Sequence, residues 1–395
     1  MKQSATSQLM RKLNSSAILD LIREQGPIAR SEIARRLSMS IPTVMRIIDC
    51  LMQEDLVRWS GSSEASGGRP RSLLEFNGSR YTVIGLDLGG TKMFGTMADL
   101  DGKILQEIYI PWNGEDAQQS VESVCRLIEH LMQANQLEGR RIRGIGVGAP
   151  GVTLFEEGVV TWAPSLGWRD LPLKKILQDR FGLPVAVEND VNLAALGEYG
   201  FGAARGASSL VCLAVGTGIG AGIVIDRKIY RGFHQSAGEI GYLPPDVSYL
   251  GRRYDRFGAL ESLTSGSGIE QRALHVLRTL NLQDPVKGVT AEEVFQAARA
   301  GQEWALHIVS ETVDYLSFAV AIIGALIDPE VIVLGGGVAR SAELLIGPIL
   351  QRLEGVVPSP IRLVHSTLGS RAAVMGAIML VLDTTTERVA LIGPG

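Results

Sequence analysis

The sequence predicts an α/β protein in two parts, a small helical head closed by a hairpin and a larger two-lobed body. Three observations predict it. Helical periodicity runs through residues 15–53 and then gives way to two short strand-like runs. From Tyr81 onward, apolar strand-like runs alternate with helical stretches. Glycine-rich loops follow several of those strands, as in DLGGTK at 87–92, GTGIGAG at 216–222 and GGG at 335–337.

The head is justified element by element. SSAILDLIREQG reads as a helix with Ile18, Leu21 and Ile22 on one face and Gly26 as its stop. SEIARRL is a second helix, with Ile33, Ala34 and Leu37 inward. After a short turn, Ser40 caps a third helix, and Pro42 falls in its first turn, where a missing N–H costs nothing. Val44, Ile47, Ile48 and Leu51 form the buried stripe of that helix, leaving Thr43 and Arg46 outward. LVRWS and LLEFNGSR then pair as a hairpin whose tip is GSSEASGGRPR.

Three helices and a hairpin make a winged helix-turn-helix over residues 1–80, with the wing at about 60–72 and the third helix placed for a DNA major groove. Ser40, Thr43 and Arg46 are the candidate DNA contacts on that helix; Arg69 and Arg71 suit a narrow minor groove at the wing. Charge agrees with this reading: residues 1–80 hold 12 Lys/Arg against 8 Asp/Glu, while the rest of a chain of net charge −4 is acidic. A small helical protein-interaction domain is the competing expectation.

The body begins with the strands YTVIGLDLGG, KMFGTMADLDG and KILQEIYIP, then the helix EDAQQSVESVCRLIEHLMQANQ and the buried strand RIRGIGVGAPG. LPVAVENDVNLAALGEYGFG reads as strand, polar junction and helix; SSLVCLAVGTGIGAGIVIDRKIY as a glycine-hinged hairpin. A long helix around WALHIVSETVDYLSFAVAIIGALI, the strand EVIVLGGGV, a helix from about Ala342 and a last helix from about Ser370 complete the chain. The expected division is a first lobe at 81–190, completed by the C-terminal helix at about 370–395, and a second lobe at 191–369.

The chemistry sits in the loops. Asp87 ends a strand, and Gly89 and Gly90 let the backbone approach an anion, with Thr91 adding a hydroxyl and Lys92 a charge. No Walker A loop is present. GTGIGAG matches a dinucleotide fingerprint only superficially, because no helix is expected to begin there. Three glycine loops after apolar strands favour a nucleotide cradle over unrelated turns. Asn189 and Asp190 lie between strand and helix; they either grip sugar hydroxyls, with Asp190 as general base, or cap the helix.

Cys50, Cys125 and Cys212 are far apart, which fits a reducing compartment and argues against a disulfide framework. No signal peptide or apolar run of bilayer length is apparent, so the expectation is a cytoplasmic protein that does not engage membranes.

Together these residues resemble the ROK family of repressors, uncharacterised frames and sugar kinases, over essentially the whole chain. DLGGTK resembles its first phosphate motif, GVGAPG its sugar-side loop, ENDVNLAALGE its catalytic and sugar-binding segment, GTGIGAG its second phosphate motif, GGG its adenosine-side loop and SAGEIGY its signature segment. The resemblance implies an actin-like, hexokinase-like (ribonuclease H-like) body. It implies sugar contacts from Gly148, Ala149, Pro150, Gly151, Asn189, Asp190, Glu239, Tyr242 and Glu261. Asp190 is the implied base of any kinase reaction. Nucleotide contacts fall to Asp87, Gly89, Gly90, Thr91, Lys92, Gly216, Thr217, Gly218 and Gly336. A fused winged helix is the mark of the family's repressor branch, and homodimers or homotetramers are implied.

Two departures matter. Tyr242 stands where the family carries a His, and YDRFGALES stands where a cysteine cluster is expected. Neither Tyr nor Phe ligates zinc, so no metal site and no structural zinc is expected. Tyr242, Tyr254 and Phe257 are expected to pack the loop instead, and His234 to be an ordinary loop residue. The leading functional expectation is a sugar-responsive regulator that binds operator DNA and requires no cofactor. The alternatives are an ATP- and Mg2+-dependent sugar kinase with a fused DNA-binding domain, and a platform for a protein partner.

Overall fold

The computed structural model describes residues 2–62, 72–112, 116–138, 140–252, 258–280 and 288–392. Helix Lys2–Gln25 opens the head and starts earlier than periodicity suggested. Helices Arg30–Arg36 and Ile41–Gln53 follow. Strands Val57–Ser62 and Ser72–Phe76 form the expected hairpin, and a two-residue strand, Ile28–Ala29, pairs with the second of them through Ile28 and Leu74. The wing residues between, with Arg69 and Arg71, lie outside the described residues, as do Tyr254 and Phe257.

The body holds two five-stranded sheets with one strand order. In the first, Tyr81–Leu88, Lys92–Asp99 and Ile104–Pro111 run as an antiparallel meander, and Arg141–Ala149 and Val185–Asn189 add in parallel on the other side of Tyr81–Leu88. In the second, Ser209–Val215, Ile219–Ile225 and Lys228–Ile229 form the meander, and Val331–Gly335 and Leu363–His365 add in parallel. Near-continuous runs such as VIGLDL and VIVLG suit strands covered on both faces.

Helices Asp190–Phe201 and Ala372–Ile392 pack closely on each other. The first lies against the hairpin of the second sheet, the other across strands Tyr81–Leu88 and Arg141–Ala149. A small sheet of Val152–Leu154, Val159–Ala163 and Trp168–Leu171 projects beside the first lobe, and its pattern was not visible in the sequence. The helix expected from Ala342 is a tight turn over Val338–Leu344, followed by an α-helix only at Ile346–Leu353.

The head is welded to the first lobe. Ile18, Ile22, Ile33, Val44, Ile48 and Leu51 share one hydrophobic cluster with Tyr81, Val83, Leu100, Met375, Ile378 and Leu382. Each such aliphatic side chain contributes about 1.5–3 kcal/mol on burial. The Tyr81 hydroxyl adds a hydrogen bond to the Glu54 carbonyl at 2.7 Å.

The expectation that no apolar run reaches bilayer length needs correction. Helix Glu303–Ile327 is long and apolar enough by length and composition. Its Ile308, Val309, Val313, Leu316, Val320 and Ile323 are buried in the same cluster as Ile332 and Leu334 of the second sheet. All three cysteines are free.

Candidate functional site

The helix Ile41–Gln53 presents one face of the head. Ser40 caps it, accepting from Thr43 N at 3.3 Å, and the two hydroxyls lie 2.8 Å apart. Val44, Ile47, Ile48 and Leu51 are buried, as the stripe required. Arg46 is exposed, whereas Thr43 is only half-exposed. Ile41 and Met45 are 43% and 40% exposed beside them. The sequence pattern passed over this pair, although apolar contact with a thymine methyl suits that position. Arg35 and Arg36 both bind Glu32, at 2.6 Å each, and these hydrogen bonds hold its carboxyl at about 2.

The second constellation forms where the two lobes meet. Asp87, Gly148 and Glu188 stand in register on three adjacent strands. This brings Asp87 and the next residues after Glu188, Asn189 and Asp190, to one edge. Asn189 caps helix Asp190–Phe201: its side-chain oxygen accepts from Val191 N at 2.9 Å and Asn192 N at 3.0 Å. Its amide donates to the Gly151 carbonyl at 3.0 Å, tying down the GVGAPG loop and leaving one amide N–H for a ligand. The helix-cap alternative is therefore realised for Asn189, and the same side chain holds the GVGAPG loop.

Glu239 and Glu261 approach from the second lobe. Glu261 Oε2 accepts from Ile219 N at 3.1 Å. Gly218 makes this possible, because a Cβ there would lie 2.7 Å from that oxygen. Burial raises the pKa of all four carboxyls: Asp87 to about 6, Asp190 to about 7, and Glu239 and Glu261 upward. Repulsion adds to burial, from Asp87 and Glu239 on Asp190 and from Glu261 on Glu239, while Lys92 pulls Asp87 back. Such a cleft favours neutral ligands rich in hydroxyl donors and disfavours anions.

The phosphate-side loops are tight turns. Gly89 N donates to the Lys92 carbonyl at 2.9 Å, and Gly90 packs against Ser165, leaving no room for a side chain. Thr91 and Lys92 are exposed. GTG at 216–218 is a hairpin turn with no helix of its own, as expected, with Gly216 N on the Gly218 carbonyl at 2.8 Å. Gly216 faces open space, and Thr217 is exposed. Gly336, at φ +85°, lies against Val215 at the start of that turn.

Tyr242 is 67% exposed, so it does not pack the loop as expected. His234 is an exposed loop residue edge-on to Phe233. Sequence reasoning missed two buried carboxylates, one beside the cleft and one remote from it. Glu188 is buried and ion-paired to Arg231 across the lobes. Glu198, at the far end of the same helix, takes hydrogen bonds from Ala203 N, Leu368 N and the Ser366 hydroxyl. Both are Glu residues inside or beside apolar runs, and that was the available signal.

A recognition helix with an open face, welded to a two-lobed hexokinase-like body with a carboxylate cleft, defines a winged-helix DNA-binding regulator on a sugar-kinase frame. The chain belongs to the ROK family, which it matches over residues 83–384, and residues 12–64 match the MarR family. It is 30% identical over 397 residues to the xylose repressor of Caldicellulosiruptor bescii, covering 95% of this chain and 96% of that one. It is 35% identical over 311 residues to a glucokinase of Halalkalibacterium halodurans, covering 75% and 94%. Among solved structures, a ROK family transcriptional regulator described as a homolog of E. coli MLC superposes with TM-score 0.84 at 25% identity, over 97% of this chain and 98% of that one. A Streptomyces griseus ROK glucokinase in complex with glucose and AMPPNP gives TM-score 0.65 at 32% identity, over 76% and 98%.

Proposed function

We propose that this protein is a sugar-responsive transcriptional repressor, released from operator DNA by a neutral sugar bound between its lobes. Its relatives named as xylose repressors point to a pentose or hexose as effector. One observation carries the reading: the head touches both lobes. Besides its shared core with the first lobe, helix Lys2–Gln25 is held by Arg227 of the second, which meets Glu24 at 3.1 Å and Asp20 at 3.8 Å. Helix Asp190–Phe201 spans about 18 Å at 1.5 Å per residue. It runs from the cleft to this junction, where Tyr199 and Phe201 line a cavity of about 330 Å3 with Arg23, Glu24, Asp101 and Arg205. A sugar that binds one lobe arrangement better than the other therefore acts on the head through both contacts.

In this reading Gly148–Gly151, Asn189, Asp190, Glu239, Tyr242 and Glu261 bind the sugar, and Ser40, Thr43, Arg46, Arg69 and Arg71 bind DNA. The protein acts in the cytoplasm as a homodimer or homotetramer on a two-fold operator, and neither zinc nor another cofactor is required. Footprinting the protein on DNA upstream of its own gene, with and without D-xylose, D-glucose and N-acetyl-D-glucosamine, tests it. Release by one sugar is expected.

A second reading rests on Asp190, whose pKa near 7 beside Asp87 suits a general base. In this reading Asp87, Gly89, Gly90, Thr91, Lys92, Gly216, Thr217, Gly218 and Gly336 would hold ATP and Mg2+ on the glycine-loop side, and MgATP would supply the phosphoryl group. Asp190 accepts the sugar hydroxyl's proton. ADP release across the same sugars, lost in Asp190→Asn, is the outcome this reading requires.

A further inference from the structure

Arg231 follows the short strand Lys228–Ile229 of the second lobe and reaches the first lobe. Its Nε donates to Glu188 Oε2 at 2.6 Å, and its guanidinium carbon lies 3.9 Å from the centre of the Phe155 ring. Glu188 is 1% exposed. Its other oxygen accepts from Asn189 N at 2.9 Å and from the Asn192 side chain at 3.0 Å. One carboxylate therefore holds Arg231 on one side and the start of the Asp190 helix on the other. Phe155 belongs to the hairpin that follows the GVGAPG loop.

The loop behind Arg231 is drawn tight. The Arg231 carbonyl accepts from Ala237 N at 2.9 Å, and the Gly238 carbonyl accepts from Ala221 N at 2.8 Å. Gly238 sits at φ +89° with no room for a Cβ against the Ala221 carbonyl. Gln235, at φ +60°, takes a left-handed turn within the loop. Glu239 is the next residue after Gly238. The placement of Glu239 thus descends, through seven residues of closed loop, from where Arg231 is pinned.

We propose that Arg231 is a positioning residue for the cleft: through Glu188 and Phe155 it fixes the Glu239 loop of one lobe against Asn189 and Asp190 of the other. The proposal rests on the reading of the cleft as the sugar site. A guanidinium suits the role because its Nε–H donates to the carboxylate while its flat face lies on a ring, an arrangement a compact ammonium on a flexible stem holds less firmly. Removing it leaves a buried carboxylate without its cation, a strongly unfavourable state.

The test uses the full chain and the variants Arg231→Ala, Arg231→Lys, Glu188→Gln and the Arg231→Ala/Glu188→Gln double. Amide hydrogen exchange is followed at 189–192 and 237–243, with helices Ile41–Gln53 and Glu303–Ile327 as internal references. Arg231→Ala is expected to speed exchange in both cleft segments roughly tenfold or more while the reference helices keep their protection. Glu188→Gln should do the same, the double should add little, and Arg231→Lys should fall between. Unchanged exchange in the cleft segments of Arg231→Ala, or equal loosening of the reference helices, overturns the proposal.

Calorimetry with D-xylose, D-glucose and N-acetyl-D-glucosamine runs beside it. A sugar bound by the parent chain should bind Arg231→Ala about tenfold more weakly or worse, with partial rescue in Arg231→Lys. An equal affinity overturns the proposal even if exchange has changed. Binding of none of these sugars by the parent chain counts against the sugar reading alone, and the exchange data still decide whether Arg231 positions the loop.

Discussion

The recognition helix and the interlobe cleft are built on different logic. The helix Ile41–Gln53 is determined within its own stretch: Ser40 caps it, Pro42 occupies its first turn, and Val44, Ile47, Ile48 and Leu51 recur on one face. The cleft has no such local rule. Asp87, Asp190, Glu239 and Glu261 come from far apart in the chain, and each has its carboxyl pushed up by burial there. The face of this helix can be changed within one short segment; the cleft changes only through residues brought together from distant parts of the chain.

That contrast can be broken by substitution, and the largest effect should come from the shared core. Ile48→Ala, at a fully buried position, should destabilise by about 2–5 kcal/mol. Because the head and first lobe share a cluster, thermal unfolding should lower both together; independent melting of the head would show the weld to be nominal.

Next comes Arg46→Ala, which should weaken DNA binding by about 1–3 kcal/mol if it reads a base. If it meets only phosphate, the loss is uniform across sequences and the salt slope falls by about one. Sugar affinity should stay unchanged in either case.

Asp190→Asn sharpens the cleft side. The folded pKa of Asp190, about 7, lies above its ordinary value of 3.8. The stability linked to this proton is fully present below about pH 4 and is lost as pH rises through 7. The amide removes that loss, so at pH 8 the variant should melt above the parent by about 2 °C or more, and the difference should shrink toward pH 5. Equal pH profiles would show that the cleft does not hold Asp190 protonated.

Ser40→Ala should cost about 1 kcal/mol through the lost cap and weaken DNA binding modestly. The smallest stability effect belongs to Arg227→Ala. Its ion pairs are partly exposed and contribute under about 1 kcal/mol. Its informative consequence is elsewhere, in a smaller change of DNA affinity when sugar binds.

What was legible follows the same division. The head, the strand–loop motifs and the order Tyr81–Leu88, Lys92–Asp99, Ile104–Pro111 could be read because periodicity and glycines are local signals. The small sheet at 152–171 and the turn at 338–344 could not, because their strands and helices are too short for periodicity to register. Tyr242 was expected inside a packed loop and stands in solvent, since loop packing depends on partners distant in sequence. Asn189 was open between cap and ligand, and only the Gly151 carbonyl across the loop shows how it serves as a cap while holding the site. The Glu188–Arg231 pair was invisible for the same reason: 43 residues separate two groups that meet at 2.6 Å.

The central claim is that a sugar between the lobes governs the head's hold on DNA. The most direct measurement is the affinity of the full chain for DNA upstream of its own gene, titrated with each sugar that calorimetry shows to bind. The account predicts that at least one such sugar lowers DNA affinity by about tenfold, within the usual range of coupling between sites. A sugar that binds the cleft and leaves DNA affinity unchanged, with no other sugar altering it, would contradict the account.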